Sequence, residues 1–281
     1  MDLPGIPLPP HYKAFVDRFV NACAADDRVL AAFLGGSYAK GYADAYSDID
    51  LCLITSGPSF DEFYNRRETF LRLLGDLVFL EDFDTPNIAF YIYADGTEGE
   101  LYFGSENNID QIHSGSFKIL VDKKNVLSEV VFPPFEPAYS EQAKKLRRQI
   151  YGFWHELSHF VTAMRRGQLW WAHGQLEAMR WICVNLVRLQ NNFLDEGAGE
   201  EAYFKVENEI SVEQLESLKR TFPPLEREAM LKAVFAIISF YQELAPPLAQ
   251  SHQLLYSHNL ERVMIDRLQK LHDAHLRSES E

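Results

Sequence analysis

One turn constrains the fold of this chain more than any other feature of its sequence. An apolar stretch, residues 29–34, is typical of a buried strand and runs directly into Gly35, Gly36 and Ser37. A short helix is predicted from about residue 38, so the turn places backbone N–H groups and a helix N-terminus at the end of a strand. That arrangement is suited to binding a phosphate group.

A second predicted strand, residues 49–54, begins with a pair of carboxylates. Asp48 and Asp50 are separated by one residue, and alternation along a strand places both on one face while Ile49 points into the core. Carboxylate oxygens beside a phosphate-binding turn are the ligands that Mg²⁺ needs when it bridges a triphosphate. Each motif alone is common, but their order and spacing together predict a nucleotide and metal site.

The pattern of the chain changes near residue 130. Before it, predicted helices alternate with short predicted strands, which indicates a sheet with flanking helices. Three prolines in residues 132–137 predict a linker. Beyond it, apolar residues recur at helical spacing. We therefore expect an α+β chain, with a mixed-sheet domain at residues 1–131 and an all-α helical bundle at residues 138–281. The predicted helices of the second domain are residues 140–166, 168–192, 211–220, 225–244 and 254–275.

Composition limits the classes of partner. The formal net charge of −14 disfavours nucleic acid, because gripping its backbone requires clustered Lys and Arg, and is compatible with a cationic substrate. No apolar run approaches the roughly 20 residues that a membrane span needs, and the N-terminus lacks a signal-peptide pattern. The three cysteines are widely separated and lie in apolar contexts. We expect a cytoplasmic protein without membrane association.

The residues Gly36, Ser37, Asp48 and Asp50 resemble the signature of the polymerase-β-like nucleotidyltransferase superfamily. Within that superfamily the chain resembles the aminoglycoside and lincosamide adenylyltransferases. They also place a small catalytic domain before a helical bundle.

The resemblance implies an activity and a set of roles. A nucleoside triphosphate, ATP, would donate AMP to a hydroxyl group of a small molecule such as an aminoglycoside-like antibiotic, and pyrophosphate would leave. Asp48 and Asp50 would hold two Mg²⁺ ions, while backbone N–H groups of Gly36 and Ser37 would bind phosphates. The family often has a basic residue where this chain has Tyr38, so the positive charge falls to Lys40, unless Lys40 is only solvated.

The superfamily also needs a third carboxylate on a neighbouring strand. Glu100 is the choice, because it begins the apolar strand that follows the turn-rich stretch 95–99, which predicts a β-hairpin. Glu98 lies two residues earlier on the same face and is the rival. Glu100 would ligate the second metal, accept the hydroxyl proton, or both.

A second motif lies in the helical half. His155-Glu156-Leu157-Ser158-His159 matches the His-Glu-x-x-His signature of zinc metalloproteases, with both histidines on one helix face. A third ligand at a family spacing is not evident. The alternatives are that His155 and His159 touch the nucleotide or the acceptor, or that they belong to a polar flank of the helix.

On the following helix, Glu177 and Arg180 share a face with His173. In the antibiotic-modifying relatives the helical domain supplies acceptor-binding acids and sometimes a basic phosphate contact. Glu177 is thus a candidate for acceptor binding and Arg180 for nucleotide binding, although an ion pair within the helix explains both equally well.

A different class of function, a non-catalytic or toxin-partner protein that binds another protein, would be favoured if one of the three carboxylates were missing.

Overall fold

The computed structural model describes residues 8–134, 139–191, 203–204 and 206–278. The chain forms two compact units, Met1–Phe135 and Glu136–Glu281. Part of the predicted proline linker, residues 135–137, lies outside the described residues. Among the described helices, none is both long and apolar enough to cross a membrane.

The first unit is a six-stranded mixed sheet with helices. The sheet order is β3-β4-β5-β2-β1-β6, in which β2 and β5 are parallel and every other neighbouring pair is antiparallel. The elements are α1 (Pro10–Ala25), β1 (Val29–Leu34), α2 (Gly36–Lys40), β2 (Ile49–Thr55), α3 (Phe60–Asn65), α4 (Arg67–Arg72), β3 (Leu77–Glu81), β4 (Ile88–Tyr93), β5 (Glu98–Ser105) and β6 (Lys118–Asp122), with 3-10 turns at Gly57–Ser59 and Glu106–Gln111.

Alternation along the strands divides the core of this unit into two clusters. Leu51 and Leu53 of β2 pack with Phe15 and Phe19 of α1 in one cluster. The intervening residues of β2 belong to a smaller cluster, together with Phe132. Both faces of β2 are therefore covered, which explains its almost continuous apolar sequence.

Residues 60–74 carry apolar residues at helical spacing, but the structure divides this stretch into α3 and α4. Arg66 lies between them with φ −108° and ψ 15°, outside helical geometry, and its N–H is bonded to the carbonyl of Phe63. The spacing of apolar residues does not reveal this break, because Phe63 before it and Phe70 after it are both buried.

The second unit is all-helical. Its helices are α5 (Tyr139–Arg165), α6 (Leu169–Gln190), α7 (Val206–Glu209), α8 (Val212–Lys219), α9 (Arg227–Ser251) and α10 (His258–Ser278). Their apolar faces meet in one large core. With this bundle after the mixed sheet, the predicted α+β fold is confirmed.

Helix α9 runs beyond its predicted end at residue 244. It continues through Pro246 and Pro247 to Ser251, although proline removes backbone hydrogen bonds inside a helix. Leu248 and Ala249 are buried in the core after the two prolines. We infer that burial of this last apolar stretch offsets the lost hydrogen bonds.

Candidate active site

Three separate parts of the sequence meet at one edge of the sheet. β1 and β2 are antiparallel, with Leu34 opposite Leu51, so the Gly-Gly-Ser turn follows β1 at the edge where β2 begins. β5 is parallel to β2, so its first residues lie at that same edge. The turn, the aspartate pair and the beginning of β5 are therefore neighbours.

The turn is fixed against the second aspartate. The N–H of Gly35 donates to the carbonyl of Asp50 at 2.9 Å. Gly36 has φ +53° and lies so close to the Asp50 carboxylate that there is no room for a side chain. Next to it, the Ser37 hydroxyl is buried without a hydrogen-bond partner in the described part of the chain. A buried hydroxyl of this kind is suited to donate to a ligand oxygen.

The acidic residues occupy different positions along this edge. Asp50 pairs in register with Glu100 of the parallel strand β5, so the two side chains are neighbours on one face. Asp48 is exposed and precedes β2, while Ile49 is fully buried in the core as the alternation predicted. Glu98 is exposed and pairs with Ile92 of β4.

The carboxylates repel one another. Burial, together with the charges of Asp48 and Glu100, raises the pKa of Asp50 from its ordinary value of 3.8 to about 7, and the ammonium group of Lys40 acts in the opposite direction. Burial and the Asp48 charge also raise the pKa of Glu100. A bound cation would offset the repulsion between the carboxylates, which adds to the effect of burial on both pKa values.

The donor set fits Mg²⁺. It consists of carboxylate oxygens, the ligands that this ion prefers, beside a buried hydroxyl and a turn of backbone N–H groups. Asp48, Asp50 and Glu100 do not converge to within 4.8 Å of one another, the spacing that would indicate a single-ion site. A pair of ions about 3.5–4 Å apart can be bound by carboxylates that do not converge on a single point.

Sequence reasoning missed two residues that hold the aspartate pair. The Tyr91 hydroxyl, on β4, donates to the carbonyl of Ile49 at 3.1 Å. A Cβ atom at Gly99 would lie 2.1 Å from the same carbonyl oxygen, so glycine allows β5 to approach β2 here. Both residues fix the backbone between Asp48 and Asp50. Neither carries a motif that distinguishes it from an ordinary strand residue.

In the helical unit, Arg180 and Glu177 form a pair on α6. The Arg180 side chain has no exposed surface, whereas that of Glu177 is 43% exposed. Arg180 donates to Glu177 Oε2 and also to the Thr221 carbonyl, the latter at 2.5 Å. Its guanidinium carbon lies 4.2 Å from the centroid of the Phe222 ring. These contacts are those of a structural ion pair. The predicted nucleotide contact of Arg180 stays a prediction that they do not support.

The residues of the His-Glu-x-x-His motif also come together. Ligand atoms of His155, Glu156 and His159 lie within 4.8 Å of one another. His155 is exposed, and the other two are partly buried. No other group of three His, Cys, Asp or Glu side chains in the described ranges is as tight.

A model of the streptomycin adenylyltransferase family matches residues 11–271 of the chain. Among solved structures, the chain is similar to an aminoglycoside 6-adenyltransferase from Bacillus subtilis, with 14% identity over 92% of this chain and 97% of that one and a TM-score of 0.44. It is also similar to a nucleotidyltransferase-like protein from Exiguobacterium sibiricum 255-15, with 11% identity over 96% of this chain and 92% of that one and a TM-score of 0.36. A comparison with curated proteins gave no match.

Proposed function

Because the chain belongs to the streptomycin adenylyltransferase family, and is therefore a nucleotidyltransferase, we propose that it transfers AMP from ATP to a hydroxyl group of a cationic, aminoglycoside-like small molecule and releases pyrophosphate. The observation that carries this proposal is the register of Asp50 with Glu100, next to the turn at Gly36 and Ser37. This register brings two carboxylates and the proposed phosphate-binding turn together from distant parts of the sequence.

Asp48, Asp50 and Glu100 are the residues proposed to hold two Mg²⁺ ions. Bound there, Mg²⁺ would neutralise negative charge on the triphosphate as the transfer proceeds. The closeness of the three carboxylates supports this assignment, because burial and the charges of its neighbours raise the pKa of Asp50, and a shared cation would offset that repulsion. The presence of all three carboxylates favours a catalytic protein over a non-catalytic, protein-binding one.

The turn is proposed to bind the leaving part of the nucleotide. N–H groups at Gly36 and Ser37 and the unpartnered Ser37 hydroxyl would donate to oxygens of the β- and γ-phosphates. Lys40, at the end of α2, would add positive charge, since its charge already acts on Asp50. These contacts would hold the pyrophosphate group in line with the attacking hydroxyl.

In the reaction, the acceptor hydroxyl oxygen forms a bond to the α-phosphorus of ATP. The bond from this phosphorus to the oxygen bridging the β-phosphate breaks, and pyrophosphate leaves. The hydroxyl proton passes to the carboxylate of Glu100, which lies beside Asp50 on the neighbouring strand. Glu100 therefore has two proposed roles, as metal ligand and as base.

Acceptor recognition is proposed for the helical unit. Glu177 offers a partly exposed carboxylate for an ammonium group of the acceptor. The net charge of −14 is compatible with a cationic acceptor. The match to the streptomycin adenylyltransferase family supports this class of acceptor.

The test is pyrophosphate release in the presence of Mg²⁺, with each nucleoside triphosphate in turn and a panel of aminoglycosides and lincosamides. We expect release with ATP and one class of acceptor, and a loss of at least about 100-fold in Asp50→Asn. The control is Asp61→Asn, which removes an exposed carboxylate of α3 in the same unit. Full turnover by Asp50→Asn would overturn the assigned site, and silence with every acceptor would overturn the proposed acceptor class.

A further inference from the structure

We propose that His155, Glu156 and His159 of α5 bind one Zn²⁺ ion, at a second metal site made entirely of residues of the helical unit. This inference is independent of the proposed transfer reaction. It concerns a different group of side chains and a different class of metal.

The three side chains are already assembled. The two histidines are one helical turn apart, and their ring centroids lie 4.3 Å from each other. Nδ1 of His155 is 3.1 Å from Oε1 of Glu156. Because a ligand atom of each residue lies within 4.8 Å of the others, small side-chain rotations would bring all three onto one ion.

The neighbouring helix α6 holds the carboxylate in place. With its amide oriented by its hydrogen-bond partners, Gln175 donates to Glu156 Oε2 at 2.5 Å and accepts from Trp171 Nε1 at 3.1 Å. The Trp171 ring also lies 5.8 Å from the His159 ring. Outer contacts of this kind orient metal ligands and strengthen binding. Side chains of a merely solvated polar helix face would not be expected to have such contacts with a neighbouring helix.

The ligand chemistry favours Zn²⁺ over Mg²⁺. Imidazole nitrogens suit zinc and related transition metals, whereas Mg²⁺ prefers sites made of oxygen donors. The carboxylate of Glu156 offsets part of the ion's charge. The His155 side chain is 63% exposed, so an ion can reach the site from solvent.

The arrangement differs from that of a zinc protease. In the His-Glu-x-x-His proteases the glutamate is a base and a third ligand comes from elsewhere in the chain. Here Glu156 belongs to the ligand group, and no further His, Cys, Asp or Glu joins it in the described part of the chain. The site therefore explains the motif as metal binding without peptide hydrolysis.

The experiment is calorimetric titration of the full chain with Zn²⁺ as the sulfate salt. We expect one tightly bound ion per chain, and an affinity at least about tenfold lower in His155→Gln and in His159→Gln. Gln175→Ala, which leaves all three ligands intact, is expected to weaken binding by about tenfold. Zinc should also raise the melting temperature of the wild type and not that of His159→Gln.

The matched control is His258→Gln. His258 is an exposed histidine on α10 with its own glutamate partner, Glu261 at 3.2 Å, but it belongs to no group of three such ligands among the residues that the structure describes. This variant should bind zinc like the wild type. Absence of binding in the wild type would overturn the proposal. So would equal affinity in the wild type and in a His159→Gln chain whose circular dichroism shows that it is folded.

Discussion

A Cβ atom at Gly36 would lie 1.5 Å from Oδ2 of Asp50. The backbone of Gly36 also has φ +53°, a conformation that L-residues with side chains adopt at a cost of about 1 kcal/mol. The position of Gly36 in the turn and the position of the Asp50 carboxylate on β2 therefore depend on each other. Any side chain at Gly36 must displace either the turn or Asp50.

We therefore expect Gly36→Ala to lower kcat by at least about 100-fold, because a shift of about 1 Å in a reacting group has that effect. Steady-state pyrophosphate release measures it. The control is Gly96→Ala: Gly96 has φ +84°, but nothing lies within 4 Å of its Cβ position. Gly96→Ala carries a similar backbone strain and should keep its kcat. Equal losses in both variants would show that strain alone, and not contact with Asp50, is responsible.

The third carboxylate can be identified by comparing Glu100 with Glu98. Glu100 pairs in register with Asp50, whereas Glu98 is exposed and pairs with β4. We expect Glu100→Gln to reduce kcat by about 100–10,000-fold, the range for loss of a general base, and Glu98→Gln by less than about tenfold. Pyrophosphate release by both purified variants is the measurement. The reverse order would transfer the role to Glu98.

Asp50 is expected to destabilise the metal-free protein. Its pKa is about 7 in the folded state against an ordinary value of 3.8, so the folded state binds its proton more tightly than the unfolded state. The contribution of protonated Asp50 to the free energy of unfolding is fully present below about pH 4, and it is lost as the pH rises through about 7. Asp50→Asn removes the charge. It should therefore raise the melting temperature more at about pH 8 than at about pH 5.

The measurement is differential scanning fluorimetry in a chelating buffer, where each kcal/mol corresponds to about 2–4 °C in chains of this size. Mg²⁺ should stabilise the wild type at the higher pH and so reduce the difference. Asp61→Asn, which changes an exposed carboxylate, should show no such pH dependence. A melting temperature that falls in Asp50→Asn at the higher pH would mean that the carboxylate has a stabilising partner.

Much of the local structure around the candidate site could be predicted from the sequence, because it depends on neighbouring residues. The strand before Gly36, the short helix after it and the outward alternation of Asp48 and Asp50 all depend on neighbouring residues. The parallel pairing of β2 with β5 is not local. The choice of Glu100 rested on resemblance and position, and its register with Asp50 comes from strand pairing across the sheet.

Tertiary packing explains what sequence patterns missed. The sequence does not distinguish Tyr91 from an ordinary apolar strand residue. Its hydrogen bond to the Ile49 carbonyl depends on how β4 packs in the sheet. The continuation of α9 through Pro246 depends on core contacts with other helices. Arg180 was ambiguous for the same reason, since spacing along α6 does not reveal that its guanidinium group is fully enclosed.

Tyr91 is a positioning residue, and its hydroxyl can be removed without changing the ring. Tyr91→Phe loses the bond to the Ile49 carbonyl, which should cost about 1 kcal/mol of stability and let the aspartate pair shift. We expect kcat to fall by about tenfold or more while KM for ATP changes less. Chemical denaturation and steady-state kinetics measure the two effects.

Tyr93→Phe is the matched control for Tyr91→Phe. Tyr93 is also buried on β4, and its hydroxyl donates to the Leu71 carbonyl at 2.8 Å, away from the aspartate pair. It should lose similar stability and keep its kcat. If both variants lost kcat equally, the effect of Tyr91 would be general destabilisation of the sheet.

Arg180 is expected to act through the fold of the helical unit. Its guanidinium group is fully buried and donates to Glu177 and to the Thr221 carbonyl, bonds that the ammonium group of a lysine cannot reproduce together. Arg180→Lys should therefore cost about 1–3 kcal/mol of stability and leave KM for ATP unchanged. Arg188→Lys is the control, because Arg188 is also buried on α6 and paired with Glu209. A rise of about tenfold in KM for ATP in Arg180→Lys alone would mean that Arg180 reaches the nucleotide, since loss of a charged contact to phosphate weakens binding by that amount.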